Sequence, residues 1–166
     1  LNNVPVKEEI MLQIFESLKE NDVLSELSLA NTMMSDTAAA ALADALETNK
    51  TLEKINIESN NIAPQTMAKI FESINVMAAV KEFKGSNQQA KFLGNKVEMA
   101  ITKAIENNKN IMKVGLHFQF GDCRNRVAVQ LQKNLDRLRY EFDFYMLDFG
   151  TGFFGPGLGS GSESHQ

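Results

Sequence analysis

A chain of 166 residues, 43% apolar and 23% charged, holds enough material for one domain around a continuous core. No apolar run approaches the ~20 residues that a membrane-spanning helix needs, and no signal peptide is visible in these residues. The one cysteine, Cys123, excludes an internal disulfide and suits a reducing cytoplasm. The net charge of −4 conceals an asymmetry: residues 1–80 balance at −7 and residues 81–139 at +7, and residues 140–166 hold four acids and no Lys or Arg. A pI near 5.3 argues against nucleic acid as a partner. The basic second half points to an acidic protein surface, with ordinary solvated helix faces as the plain alternative. The sequence opens Leu1-Asn2-Asn3-Val4 without methionine and is expected to be part of a longer protein.

The predicted elements follow one another with a fixed period. Pro5 suits a first helical turn, and the helix it would open carries Ile14 and Leu18 on one face. A short strand follows, with Leu24, Leu27 and Leu29 at its apolar positions. Ser35-Asp36 predicts the cap of a second helix with Leu42 and Leu46, followed by a strand at Leu52, Ile55 and Ile57. Pro64 opens a third helix carrying Ile70 and Ile74, then a strand at Val80 and Phe83 in which Gly85 replaces the last apolar residue. That glycine marks either a local weakness or a close backbone approach. Ile101 and Ile105 define a fourth helix, and Ile111, Val114 and Leu116 a fourth strand. Equivalent positions are separated by 28, 28 and 31 residues, so three residues are inserted within Ser86–Glu98. Stepping back 28 residues from Leu29 lands on Leu1, a fifth register of the pattern. A last helix at about Arg124–Arg139 carries Val127, Leu131, Leu135 and Leu138 on one stripe and has no strand after it.

Within each helix a small residue recurs (Ser17, Ala45, Ser73, Ala104), which predicts a row facing a neighbouring backbone. The segment Leu46-Glu-Thr-Asn49-Lys-Thr-Leu52-Glu-Lys-Ile55-Asn-Ile57-Glu-Ser-Asn60-Asn-Ile62 matches the leucine-rich-repeat template LxxLxLxxN at Leu52, Ile55, Ile57 and Asn60. The other repeats carry Thr32, Gln88 and Gln119 at the asparagine position, so a regular ladder of buried asparagines is not expected. The fold class is therefore α/β, a right-handed leucine-rich-repeat solenoid of about five strand-helix repeats closed by a C-terminal capping helix. The domain spans residues 1–139. Residues 140–166 form an aromatic and Gly-rich tail, with six of the ten glycines after residue 149, either flexible or docked.

Catalytic and metal-binding constellations do not emerge. His117 and His165 are the only histidines, and neither stands at ligand spacing to Cys123 or to the other. Pairing of Cys123 with His117 lacks a third orienting group, and the glycines of the tail lack the GKS or GKT of a phosphate loop. The chain reads as a non-enzyme that needs no cofactor, and what a solenoid supplies instead is an extended rigid surface. Two candidate surfaces stand out. The strand positions Glu26, Ser28, Lys54, Asn56, Glu82, Lys84, Lys113 and Gly115 line the concave side as a mixed row. At the closing end, Arg124, Arg126, Lys133, Arg137 and Arg139 crowd the last helix, where guanidinium groups suit a carboxylate-rich partner.

The run Leu46–Ile62, the strand end Leu29-Ala30 and the stretch Asn107-Asn-Lys-Asn-Ile-Met-Lys-Val-Gly-Leu-His-Phe118 resemble the C-terminal half of the tropomodulin and leiomodin family. Arg124-Asn-Arg126 and Lys133-Asn134 continue the resemblance, which covers about residues 1–139. It implies an actin-binding domain that caps filament pointed ends, in the cytoplasmic actin cytoskeleton, and at thin-filament ends in muscle. Tropomyosin binding would belong to an N-terminal half that this sequence does not contain. The resemblance makes Lys113, Arg124, Arg126, Lys133, Arg137 and Arg139 the candidate actin contacts. The tail after Tyr140 departs from the family's basic end, which puts a terminal contact in doubt. A generic leucine-rich-repeat adaptor or GTPase regulator is the competing reading on the fold alone.

Overall fold

The computed structural model describes residues 1–77, 79–90 and 92–150, apart from the side chains of 75–77 and 147–150. Helices and strands alternate: α1 (Glu8–Glu20), β1 (Glu26–Ser28), α2 (Asp36–Leu46), β2 (Lys54–Asn56), α3 (Pro64–Met77), β3 (Glu82–Lys84), α4 (Asn95–Asn107), β4 (Lys113–Gly115) and α5 (Gly121–Gly150). The four strands form one parallel sheet in sequence order, as short strand-helix units must when each crossover returns to the neighbouring edge. The register Glu26↔Lys54↔Glu82↔Lys113 reproduces the 28, 28 and 31 residue spacing. The fifth register is present without being a strand. The Leu1 amine donates to the Ser28 carbonyl at 3.1 Å, and the Asn3 N–H to that of Ala30 at 2.9 Å.

The predicted apolar rows meet in the core except at the two ends of the chain's pattern, where Leu24 and Leu138 are exposed. Leu42, Ile70 and Ile101 on the helices are fully buried, as are Leu52, Val80 and Ile111 at the entries to the strands. Ile55 and Phe83 on the two inner strands are sealed, while Leu27 and Val114 on the outer strands, each with a paired strand on one side only, are half-buried. The row of small residues behaves likewise. Ala45, Ser73 and Ala104 are buried, but Ser17 on the first helix is exposed and returns its hydroxyl to the Gln13 carbonyl. Ser35 caps α2 by accepting from the Ala38 N–H at 3.2 Å, and Pro64 is the first residue of α3. Pro5 differs from expectation: α1 begins at Glu8, with Lys7 as its cap.

Two polar ladders hold the bends. Asn60 is buried; its amide donates to the carbonyls of Leu29 and Ile57, and its oxygen accepts from the N–H groups of Thr32 and Met34. Gln88, one repeat later, donates to the carbonyls of Ile57 and Gly85 and accepts from the Ile62 N–H. The expected break in the ladder at Gln88 therefore does not occur, because the longer amide reaches the same backbone groups. The second ladder, at the helix-to-strand turns, was not anticipated. Asn21, Asn49 and Asn108 each accept two backbone N–H groups of the turn that follows. The amides of Asn49 and Asn108 also reach back to the carbonyls of Leu18 and Ile74 in the preceding repeat. Loop residues Asn31, Ser59 and Asn87 share a left-handed backbone (φ 53 to 59°), one per repeat, at positions where short polar side chains are tolerated.

Gly85 marks a close approach, although to side chains. A Cβ there would lie 2.7 Å from the Phe83 ring and 3.2 Å from the Met67 methyl. The space lets Phe83 pack edge-on against Phe71 at 4.7 Å.

The final helix is longer than the expected Arg124–Arg139, running over Gly121–Gly150. Residues Leu1–Asn134 form one compact unit and a second begins at Leu135. In the first, Cys123 and Val127 are buried and Leu131 packs against the core. Asn134 continues the asparagine ladder from the helix side, donating to the carbonyls of Asn108 and Ile111 at 2.9 and 2.7 Å. Glu98 of α4 is fully buried and accepts from the N–H groups of Gln119 and Phe120 just ahead of α5. In the second unit, Tyr140, Phe142, Phe144, Tyr145 and Met146 are all exposed. The glycine-rich stretch 151–166, expected to be flexible or docked, lies outside the described residues.

Candidate protein-binding surfaces

On the concave face the parallel register stacks unlike charges side by side. Lys54 reaches Glu26 at 2.9 Å, and Lys113 and Lys84 converge on Glu82 at 3.1 and 3.3 Å. Outside this row Lys81 pairs with Glu53 at 2.6 Å. The ammonium of Lys113, seconded by Lys84, holds the Glu82 carboxyl below the usual carboxylate range against the opposing effect of partial burial. This face is thus largely self-neutralised. Lys113, one of the residues marked out by resemblance, belongs to it and not to the closing end.

The five arginines and lysines of α5 separate into different environments. Arg126 grips Glu106 of α4 through two parallel bonds, Nε to Oε1 at 2.9 Å and Nη2 to Oε2 at 2.7 Å, and reaches Asp122 at 3.3 Å. This planar, bidentate pairing is one an ammonium cannot reproduce. It raises the Arg126 guanidinium above its ordinary value and lowers Glu106 below its own. Arg124 and Lys133 are exposed and make no ion pair among the described residues. Helical arithmetic places Arg124 and Arg126 on opposite flanks of the buried row Cys123, Val127 and Asn134. In the second unit Arg137 faces Glu141 at 4.0 Å and Arg139 faces Asp136 at 3.9 Å, exposed pairs that leave the cations accessible.

Two cations were not singled out from the sequence. Lys96 and Lys103, a week of residues apart on α4, are exposed without an ion pair among the described residues. They rim a groove floored by Met99, Ala100 and Ala104. Lys103 and Lys133 both act on Glu106, so the α4 and α5 cations share one neighbourhood. Only the spacing of Lys96, Lys103 and the small residues between them could have hinted at this. His117 is exposed and Cys123 is buried with its thiol 3.5 Å from the Met99 sulfur, so the structure does not bring them together as a catalytic pair. No cluster of three potential metal ligands occurs among the described residues.

Stacked parallel strands, outer helices, an amide ladder in the loops and a closing helix define a leucine-rich-repeat domain. Residues 1–137 match the family model of the TMOD/LMOD leucine-rich domain, and the chain belongs to that family. It is 36% identical over 140 residues to a Caenorhabditis elegans tropomodulin, covering 84% of this chain and 36% of that relative. The chain thus spans about a third of that protein's length. A solved C. elegans tropomodulin C-terminal domain superposes with a TM-score of 0.83 at 35% identity, over 85% of both chains. A structure described as leiomodin-1 actin-binding site 2 superposes with the same TM-score at 31% identity, over 89% of this chain and 85% of that one.

Proposed function

We propose that this domain binds actin and caps filament pointed ends by protein–protein contact, within the actin cytoskeleton of the cytoplasm. The observation that carries the reading is the likeness, along nearly the whole of both chains, to a domain described as an actin-binding site of leiomodin-1. Residues 1–139 would be the binding module, with 140–166 as a separate appendage. The distribution of unpaired charge supports α5 over the concave sheet as the contact. Arg124 and Lys133 present uncompensated cations there, and Arg137 and Arg139 add exposed ones. Lys113 contributes less net charge because Glu82 lies against it. Arg126 acts on actin indirectly, by locking α5 to α4 through Glu106. A preorganised surface of this kind spends little ordering entropy on binding, and its cations accelerate encounter with acidic partner surfaces.

The test is elongation of pyrene-labelled actin from filaments blocked at their fast-growing ends. The domain is expected to slow it, and a folded domain that neither slows elongation nor binds monomeric actin would overturn the reading.

A further inference from the structure

Two surfaces of this chain are exposed, and their chemistries are complementary. The first is the groove on the outer side of α4. It has a volume of about 520 Å³, within the ~300–1,000 Å³ range of binding pockets, with Met99, Ala100 and Ala104 as its floor. Lys96 and Lys103 line it without an ion pair among the described residues, and they outnumber the one carboxylate in the lining, Glu72 of α3. It lies beyond the three-residue insertion that separates β3 from α4. The Met99 side chain gives the lining an adaptable apolar surface. The second is the stretch Tyr140–Met146, in which Tyr140 is 76% and Phe144 68% exposed, while Glu141 and Asp143 alternate with the rings. No Lys or Arg follows Arg139. So many exposed rings on one short stretch are unusual for a surface that meets only water.

We propose that the Lys96–Lys103 groove of one copy receives the acidic, aromatic stretch Tyr140–Met146 of a second copy, so that the chain associates head to tail. Rings from the stretch occupy the Met99 and Ala100 floor, and Glu141 and Asp143 meet the two lysines on the rim. Each ring carries ~150–250 Å² of surface, so burial of two or three gives an interface at the small, reversible end of the range. Such a contact is heterologous. Each copy carries one groove and one stretch, so a dimer held by a single contact keeps one of each unused and assembly continues past it as concentration rises.

The experiment is sedimentation velocity of the full chain from low to high micromolar concentration, with two double variants. K96E/K103E alters only exposed α4 positions, and F142S/F144S only exposed positions of α5. The parent is expected to form dimers and larger species, and each variant alone to associate at least ~tenfold more weakly. A mixture of the two variants should recover a 1:1 dimer and nothing larger, since each supplies the one surface that the other lacks. A parent that stays monomeric throughout overturns the proposal, including the case in which the stretch covers its own groove. Undiminished assembly of K96E/K103E would mean that the helices pair with each other, and would overturn it equally. Should F142S/F144S fail to match the parent's circular dichroism, a synthetic peptide of residues 138–150 replaces it. The peptide is expected to dissolve the parent's assemblies, and its failure to do so counts against the proposal.

Discussion

Asn60 shows what one side chain contributes when it meets two neighbouring turns. Its amide serves carbonyls of two successive repeats while its oxygen holds two N–H groups, all out of water. Asn60→Ala strands those groups and is expected to cost about 2–4 kcal/mol. That should lower the midpoint of a circular-dichroism melt by roughly 5–15 °C for a chain of this size. Gly85 makes a contrasting case, where a missing side chain is the stabilising feature. Gly85→Ala would drive a methyl into the Phe83 ring and the end of Met67, at an expected cost of about 1–3 kcal/mol. In a Phe83→Leu background the same substitution should cost measurably less, and a double-mutant cycle in urea reads that coupling. Additive costs would mean that Phe83 is not the obstacle.

At the scale of the element, α5 is held to the stack by groups that periodicity does not reveal. Asn134 caps the last asparagine turn, Glu98 gathers the two N–H groups ahead of the helix, and Arg126 clamps Glu106. The Arg126–Glu106 clamp has a definite pH signature. Glu106 titrates below its ordinary value of 4.5 in the folded chain, so the stabilisation is complete above that value. It is lost as pH falls through the depressed folded value. Glu106→Gln should therefore lower the melting temperature at neutral pH, and the gap to the parent should close as the pH drops below 4.5. A gap that persists unchanged into acid would show that the carboxylate's charge is not what matters. Arg126→Lys keeps the charge but loses the fork, and is expected to resemble Glu106→Gln at neutral pH.

For the whole molecule, position along the solenoid decides which charges face a partner. The concave lysines pair with glutamates on the same or the neighbouring strand, whereas α4 and α5 carry exposed cations, Lys96, Lys103, Arg124 and Lys133, with no ion pair among the described residues. Arg124→Glu with Lys133→Glu should slow pointed-end capping while lowering the melt only slightly, because neither residue has an ion pair among the described residues and Lys133 loses only a longer-range attraction to Glu106. Arg126→Glu should instead lower the melt first. Equal capping by the parent and a folded Arg124→Glu/Lys133→Glu variant would move the actin contact away from α5.

The 28-residue period, the apolar rows and the helix-strand alternation are properties of local pattern. One-dimensional spacing is enough to read them, because each repeat buries the same face against its neighbour. That determined the solenoid, its parallel order, the cap at Ser35 and the helix that closes the core. Which polar groups are satisfied, and by whom, depends on residues 20 to 34 positions apart meeting across repeats, as Glu98 with Gln119 or Asn108 with Ile74. Gln88 looked like a broken rung by residue type, but reach in three dimensions made it a working one. The same reason limits what sequence says of the surface. Arg124 and Arg126 stand two residues apart with the same charge, and only the tertiary structure brings Glu106 against one and leaves the other in water.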